Sequence, residues 1–480
     1  MNNNGRVVIY TDVDEITDSN IAEVLTTSFE KHIQQNRPDI CYLYDYYKGK
    51  QPILNKTVEV RPEINHKIVA NHANEIVSFK VGYLLGEPIQ FVRHGEEDAL
   101  TEQITKLNDF AFAEDKLEKD TELATWFTIC GTAYRLVLPN TDDPKPDSPF
   151  RLYTLDPRNT FVVYSSAIGN RPMLGVTYIV QNDNTLVFSV YTRNRYYKIK
   201  SPAIPTNGSM ATEVLEKKDH ILGDVPIIEY PENTARLGAF EIVLPLLDSI
   251  NDVISGRLDG LEKFVDAFMV ITGASPEEDT FTKLKVDGGL ALPEGADAKY
   301  LTQELNQTQT QTLADSMWEE VLYIAGMPNR NGKSSTSDNG VAVYLRDGWS
   351  EAETRAKNTE QQFRISEKNF LRIALRIAEA KSDMSLRVAD IEIRFSRRNY
   401  ENILQKAQVL TMMLANDKIH PRLAFAHCGL FVDPELAYLE SKEYYDEQMA
   451  KEKADLKNAL KTATENARNE SNLNAESNDE

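Results

Sequence analysis

A long apolar stripe between residues 239 and 272 constrains the fold of this 480-residue chain more than any other feature. Its apolar side chains recur at steps of three and four residues, at Val243, Leu247, Ile250, Ile254, Leu258, Leu261, Val265 and Phe268. This spacing places them on one side of an α-helix. The other side carries a set of acidic residues, Asp248, Asp252, Asp259, Glu262 and Asp266. The pattern therefore predicts one long helix with an acidic face.

The residues after this helix predict a turn and a second helix. Residues 275–305 contain two prolines and three glycines, which favour turns, and residues 306–325 again have helical spacing. Two arrangements fit this pattern equally well: a projecting helical hairpin with a small module at its tip, or an ordinary helix pair in a core. Pro245 should kink the first helix unless it lies in the first turn.

The composition is that of a folded acidic protein. The length allows two to four domains, and 41% hydrophobic and 26% charged residues are ordinary values. The net charge of −21 is opposite to that of proteins that hold nucleic acid by its phosphates. Such a charge is still compatible with a protein that surrounds DNA without holding it.

Cysteine usage and hydropathy indicate a cytoplasmic origin. Cys41, Cys130 and Cys428 are isolated, which indicates reduced thiols and argues against a disulfide framework or a zinc site. The first residues lack the apolar core of a signal peptide, and no apolar run approaches the roughly 18 residues of a membrane span. We expect neither a leader nor a membrane segment.

The remaining patterns predict a mainly helical α+β chain. Residues 1–18 indicate a loose polar arm, and Arg37-Pro38 should end a helix that begins near Asn20. Residues 131–230 contain short β-branched and aromatic runs separated by turn residues, which predict antiparallel strands. Further helices are predicted over residues 65–85, 101–112, 115–130, 351–381, 401–416, 421–428 and 434–463. Residues 464–480 have the composition of a disordered acidic tail.

No catalytic, cofactor-binding or metal-ligating residues are predicted. Residues 326–334 resemble a phosphate-binding P-loop, but five residues instead of four separate the first glycine from the Gly-Lys pair, and a helix precedes them. A flexible polar loop is therefore favoured over an NTP-binding enzyme, which stays a weak alternative. His66 and His72 are six residues apart, on opposite sides of a helix, and His427-Cys428 is a lone pair.

One ordered basic stripe runs along the long helix over residues 351–381. Its members follow each other at steps of four, at Arg364, Lys368, Arg372 and Arg376. They could pair with acids such as Glu360 and Glu367 on the same helix. The alternative is a surface that faces DNA or an acidic partner subunit.

Seven short stretches of the sequence belong together. They are YYKGKQPI at 46–53, NHKIV at 65–69, KVGYLLGEPI at 80–89, GTAY at 131–134, LDPRNTF at 155–161, VPIIEY at 225–230 and NGVAVY at 339–344. Together they resemble one family, the portal proteins of tailed bacteriophages, of the type common in siphophages of Gram-positive hosts. Their order matches that of the family, and they span about residues 40–380.

The resemblance implies a portal fold: an α/β wing, a two-helix stem, a small α/β clip, a tunnel loop and a helical crown. The wing would be residues 1–238, the stem 239–272 and 306–326, the clip 273–305, the tunnel-loop region 327–350, the long helix with a return strand 351–400, and the crown 401–463. Tunnel-loop candidates are Asn331, Lys333, Ser334, Asn339 and Arg346. Clip candidates for docking are Glu277, Glu278, Lys283 and Lys285, and the acidic residues named above would form the acidic face of the stem.

The same resemblance implies a function without a cofactor or a membrane. The chain would form a ring, typically of twelve subunits, at one capsid vertex, and double-stranded DNA would pass through its channel without sequence specificity during packaging and ejection. Expected partners are the terminase large subunit, a head–tail adaptor, and scaffolding and major capsid proteins. The expected location is the virion, with assembly in the host cytoplasm. A virion scaffold protein without a channel is the main alternative.

Overall fold

The computed structural model describes residues 5–94, 100–141, 146–202, 210–265, 268–273, 294–301, 307–329, 348–382, 384–396, 403–431 and 433–476. The chain divides into two compact units, Met1–Arg397 and Arg398–Glu480. Helices described in the first unit are α1 Ile21–Lys31, α2 Arg37–Tyr47, α3 His72–Leu84, α4 Thr101–Ala113, α5 Lys116–Cys130, α6 Leu244–Val265, α7 Gln307–Ala325 and α8 Trp349–Ser382. The second unit contains α9 Ile403–Leu414, α10 Pro421–Cys428 and α11 Pro434–Glu476.

The described strands all lie in the first unit. They are β1 Ile9–Thr11, β2 Gln90–Arg93, β3 Thr132–Pro139, β4 Phe150–Leu155, β5 Thr160–Ser165, β6 Pro172–Val180, β7 Leu186–Tyr191, β8 Arg195–Ser201, β9 Glu213–Asp219, β10 Ile227–Pro231, β11 Phe268–Thr272, β12 Asp297–Leu301 and β13 Ile391–Arg394. The largest sheet has the order β1-β5-β6-β7-β8-β9, and a second one the order β10-β3-β4. Two-stranded ribbons join β11 to β12 and β2 to β13. The prediction of a mainly helical α+β fold is confirmed.

Two large apolar cores and one small apolar cluster hold the described part of the first unit together. The larger core surrounds α8, whose side chains Phe363, Phe370 and Ile373 are almost fully buried against α5 and the β10-β3-β4 sheet. The smaller core lies between α1 and the six-stranded sheet. There Phe29 meets Tyr178 and Phe188 edge-to-face, at centroid distances of 5.1 and 5.0 Å, a geometry that aromatic rings favour.

The expected loose arm at residues 1–18 is wrong for its described part. Ile9–Thr11 is a strand that pairs parallel with β5. Before it, Arg6 is only 4% exposed, and its Nη2 lies 2.6 Å from Oε1 of the buried Glu241. A buried arginine needs such a partner, because an unpaired charge is costly in the core. The polar composition of residues 1–18 suggested a loose arm because the partner of Arg6 lies 235 positions further along the chain and no local pattern indicates it.

Pro38 does not end the first helix. The chain continues from α1 through a π-turn, His32–Asn36, directly into α2, and Pro38 occupies the first turn of α2. Proline lacks an N–H and its ring crowds the preceding turn of an α-helix. The wider π-turn relieves that conflict, so the chain stays helical where a break was predicted.

Two predictions at the ends of helices are also wrong. The helix predicted over residues 239–272 is α6 alone, because a 3₁₀ turn at Glu241–Val243 precedes it and Phe268–Thr272 is a strand. Pro245 lies in the first turn of α6, where its missing N–H costs nothing. The tail predicted as disordered is helical up to Glu476, since α11 contains no glycine or proline after Pro434 and extending an existing helix is favourable.

Candidate functional site

The most informative site in the first unit is built on the antiparallel pair of α6 and α7, which the ribbon of β11 and β12 joins. At one end of this pair, Leu247, Ile250 and Val321 are buried in the main core. Toward the ribbon, Leu261 and Leu313 are each 47% exposed. The pair is therefore anchored at one end and open at the other. This differs from an ordinary helix pair buried along its whole length.

An extended segment lies along one face of α6. The helix predicted over residues 65–85 begins only at His72. We call the residues before it, 65–71, the strap. Alternate backbone N–H groups of the strap donate to side chains of α6. The N–H of His66 donates to Asp259 Oδ1 at 2.7 Å, that of Ile68 to Ser255 Oγ at 2.9 Å, and that of Ala70 to Asn251 Oδ1 at 2.8 Å. These three hydrogen bonds are called the ladder.

The ladder works because two different repeats have nearly the same length. Its acceptors are spaced four residues apart on α6, a rise of about 6 Å. Its donors are two residues apart, and an extended chain covers about 6.6–7 Å in two residues. Asn251 and Ser255 are fully buried and Asp259 is 6% exposed, so the strap gives each of these buried polar side chains a hydrogen-bond partner.

The two ends of this face differ in electrostatics. Asp259 also accepts a bond from Lys56 Nζ at 2.7 Å, and His66 Nδ1 lies 2.9 Å from it. Although burial alone would raise the pKa of Asp259, the bonds from Lys56 and His66 hold that pKa below its ordinary value. At the other end, Asp248 accepts a 2.9 Å bond from the Tyr46 hydroxyl, and burial raises the pKa of Asp248.

The acidic residues predicted for the stem face therefore fall into different environments. Asp252 is exposed, Asp248 is half-buried, and Asp259 is covered by residues of the same chain. Glu262 is exposed, with Oε2 3.3 Å from His66 Nε2. Asp266 lies outside the described residues, as do the tunnel-loop candidates Asn331, Lys333, Ser334, Asn339 and Arg346 and the clip candidates Glu277, Glu278, Lys283 and Lys285.

The basic stripe of α8 does not act as one surface. Arg364 Nη2 lies 2.5 Å from Oε1 of Glu360, so at this position the stripe pairs with an acid on the same helix, the first of the two alternatives given above. Arg376 Nη1 donates to the Leu222 carbonyl at 2.7 Å. Glu367 turns into the core instead. There it belongs to a buried group that we call the core charge cluster, formed by Lys116, Asp120, Arg135, Tyr230 and Glu367.

The core charge cluster joins α5, β3, β10 and α8. Lys116 Nζ lies 2.5 Å from Asp120 and 2.7 Å from Glu367, and Arg135 contacts the same two carboxylates. Two positive and two negative groups are thus enclosed together. Paired in this way they avoid the cost of isolated buried charges.

Sequence reasoning missed the residues that form the ladder. Asn251 and Ser255 are polar residues four apart, and Asp259 continues the same row. Uncharged polar residues aligned with acids at this spacing are a signal that a helix face is covered and not solvated. That signal was available in the sequence, but the partner segment was not.

The other candidate sites give no sign of chemistry. Across the described ranges, no three His, Cys, Asp or Glu side chains are arranged to hold a metal ion. His72 stacks on Trp318, with centroids 3.8 Å apart, and does not approach His66 as a ligand pair. The P-loop-like segment follows α7 directly, and its residues 330–334 lie outside the described part. No described helix is long and apolar enough to cross a membrane.

Comparison with family models identifies one family. The family described as "Phage portal protein, SPP1 Gp6-like" matches residues 27–461, which is most of the chain. No curated protein matches the sequence. One solved structure with similarity is a chain from the neck of an empty gene transfer agent (GTA) particle computed with C6 symmetry. It is 10% identical to this chain with a TM-score of 0.45, and the match covers 82% of this chain and 94% of that one. A chain from the neck of a native GTA particle computed with C12 symmetry has 12% identity and a TM-score of 0.43, with the same coverage. On the strength of the match over residues 27–461, this chain belongs to the phage portal protein family of the SPP1 Gp6-like type.

Proposed function

We propose that this chain assembles into a ring at one capsid vertex and that double-stranded DNA passes through the central channel during packaging and ejection. The family match over residues 27–461 supports this role. In this proposal, α6 and α7 line up side by side around the ring as the stem. The ribbon of β11 and β12 belongs to the clip, which docks the terminase and later the head–tail adaptor. Residues 327–350 supply the tunnel loop, and residues 401–463 form the crown.

The observation that carries the proposal is the half-exposed pair of α6 and α7. Apolar side chains on this pair, such as Leu261, Leu313 and Tyr323, are 47%, 47% and 77% exposed in the single chain. Fully burying a leucine side chain contributes about 1.5–3 kcal/mol, so covering the exposed half of Leu261 or Leu313 would contribute about half of that. A ring in which each pair packs against its neighbours would cover them. A free monomer would leave them in water.

The net charge of −21 supports a channel through which DNA slides. A protein that holds duplex DNA presents lysines and arginines to the phosphates, and its affinity falls steeply with salt. An acidic lumen would instead repel the phosphates and keep the duplex from sticking. Two of the tunnel-loop candidates named above, Lys333 and Arg346, are basic and would be exceptions to this acidic lining.

Native mass spectrometry and negative-stain microscopy of the purified chain test the proposal. We expect closed rings with a central hole at micromolar concentration, and a mass that is a whole multiple of 54.4 kDa. Monomers alone would contradict the proposal. Assemblies without a hole would favour the alternative of a virion scaffold protein that has no channel.

A further inference from the structure

Charge is unevenly distributed on the two sides of α6. The segment over residues 48–67, called the basic segment, contains five basic residues, Lys48, Lys50, Lys56, Arg61 and Lys67, and only two acidic ones, Glu59 and Glu63. In contrast, α7 contains Asp315, Glu319 and Glu320 and no lysine or arginine. In a chain with a net charge of −21, the basic segment is thus a local exception.

These two charged elements lie on opposite sides of α6. The strap, at the end of the basic segment, binds the face that carries Ser255 and Asp259. Arg257, which bonds Gln311 of α7, is two residues from each of them. Two residues correspond to about 200° around a helix. At the level of Ser255 and Asp259 the order is therefore basic segment, α6, α7. The chain reaches α7 itself only after the strap, where His72 stacks on Trp318.

The outer face of α7 is open. Thr312, Ser316, Glu319 and Tyr323 follow each other at steps of four, three and four residues, and all four are exposed. The inner face, with Ala314, Val321 and Ala325, points the other way, toward α6. The outer face of the basic segment is open too, since Lys48 is exposed, Lys50 is 66% exposed even beside Asp45, and Val60 is 72% exposed.

The opposite charges also lie at the same height along the helices. Because Arg257 meets Gln311 and the helices are antiparallel, moving nine residues along each places Asp248 level with Glu320. Tyr46 bonds Asp248, and Lys48 and Lys50 come two and four residues after Tyr46. The lysines at the start of the basic segment are therefore level with Glu319 and Glu320, on the other side of α6.

We infer that the basic segment of one copy of this chain packs against the outer face of α7 in the next copy, with Lys48 and Lys50 facing Glu319 and Glu320. Two complementary surfaces on opposite sides of one body form a head-to-tail contact, and such a contact gives a ring when the rotation between neighbouring copies closes. Tyr323, next to Glu319 and Glu320 on the outer face of α7, supplies apolar area at the same contact. This inference rests on the ring proposed above and specifies which surfaces form its stem contact.

Charge reversal and charge exchange in the full chain test this contact. The variants are Lys48→Glu with Lys50→Glu, Glu319→Lys with Glu320→Lys, and all four together. Each double variant should raise the protein concentration needed for half-assembly by about tenfold at low salt, because like charges then face each other. The four-fold variant should return to within about threefold of the wild type, since opposite charges face each other again. Analytical ultracentrifugation over a concentration series gives these values.

The control is Glu118→Lys with Glu122→Lys, which makes the same charge change at two exposed positions of α5. It should assemble like the wild type, and circular dichroism should show all variants folded. Wild-type protein that stays monomeric would overturn both the ring and this contact. Wild-type rings with double variants that match the control, or a four-fold variant without recovery, would overturn the contact alone.

Discussion

The core charge cluster and the ladder both bury polar groups, but they do so with different chemistry. In the core charge cluster, charged side chains from α5, β3 and α8 neutralise each other, and its members Arg135 and Glu367 are fully buried. In the ladder, side chains of one helix satisfy the backbone of a distant segment. Removing one charged residue from the cluster leaves an incompletely paired charge in the core. Removing one acceptor from the ladder breaks a single hydrogen bond and leaves the other two in place. We therefore expect the core charge cluster to determine global stability and the ladder to determine the position of the strap on α6.

The largest effect is expected from Arg135→Met. This change leaves Asp120 and Glu367 with Lys116 as their single cationic partner, and breaking a buried ion pair typically costs about 3–5 kcal/mol. Urea unfolding of the purified protein measures the loss. The matched control is Arg195→Met, which removes the solvent-accessible pairs with Asp18 and Asp219 and should change the unfolding free energy far less. Equal losses in both variants would contradict the role given to the cluster.

A smaller and local effect is expected from Asp259→Ala. The half-buried backbone N–H of His66 loses its acceptor, and a hydrogen bond of this kind contributes about 0.5–1.5 kcal/mol. Hydrogen exchange should become faster at His66 and Ile68 while the amides of α8 keep their protection. Asp252→Ala, at an exposed position of the same helix, is the control and should leave the strap protected. Unchanged exchange at His66 in Asp259→Ala would show that the ladder does not hold the strap.

The smallest effects concern pH. The pKa of Asp259 is lowered in the folded chain, so its stabilising contribution is present above the ordinary aspartate pKa and is lost as the pH falls through the lower, folded value. The pKa of Asp248 is raised by burial, so its contribution is present at low pH and is lost as the pH rises through the folded value. Unfolding free energies of Asp259→Asn and Asp248→Asn, measured at several acidic pH values, should therefore differ from the wild type with opposite pH slopes. Slopes of the same sign would contradict the two environments described here.

Local patterns were sufficient to predict most elements of the fold. The β-branched runs between residues 131 and 230 and the helical spacing of residues 351–381 each depend on neighbours within a few positions, and strands and a helix lie there. The end of α6 was harder, because Phe268 fits a helical step from Val265 and also the alternation of the strand Phe268–Thr272. Only the pairing with β12, about 30 residues later in the chain, decides between them.

The candidate site depended on contacts that no local pattern contains. Asp259 looked like one more residue of an acidic face, but its partners Lys56 and His66 are 203 and 193 residues away. In the same way Glu367 looked available to the basic stripe of α8, but it is neutralised by Lys116 and Arg135. Whether a charged residue on a helix is solvated or buried is set by the segment that covers it, and the sequence does not name that segment.

The near-match of spacings in the ladder has a consequence for which insertions and deletions this chain can tolerate. Each step adds a mismatch of about 0.6–1 Å between the strap and the helix, so a run of this kind cannot grow much beyond its present length. A single added residue between His66 and Ala70 would turn the wrong amides toward Asn251 and Ser255. The ladder therefore fixes the length of the strap. We expect related chains to vary in the length of the loop before residue 65 but to keep the same number of residues between positions 66 and 70.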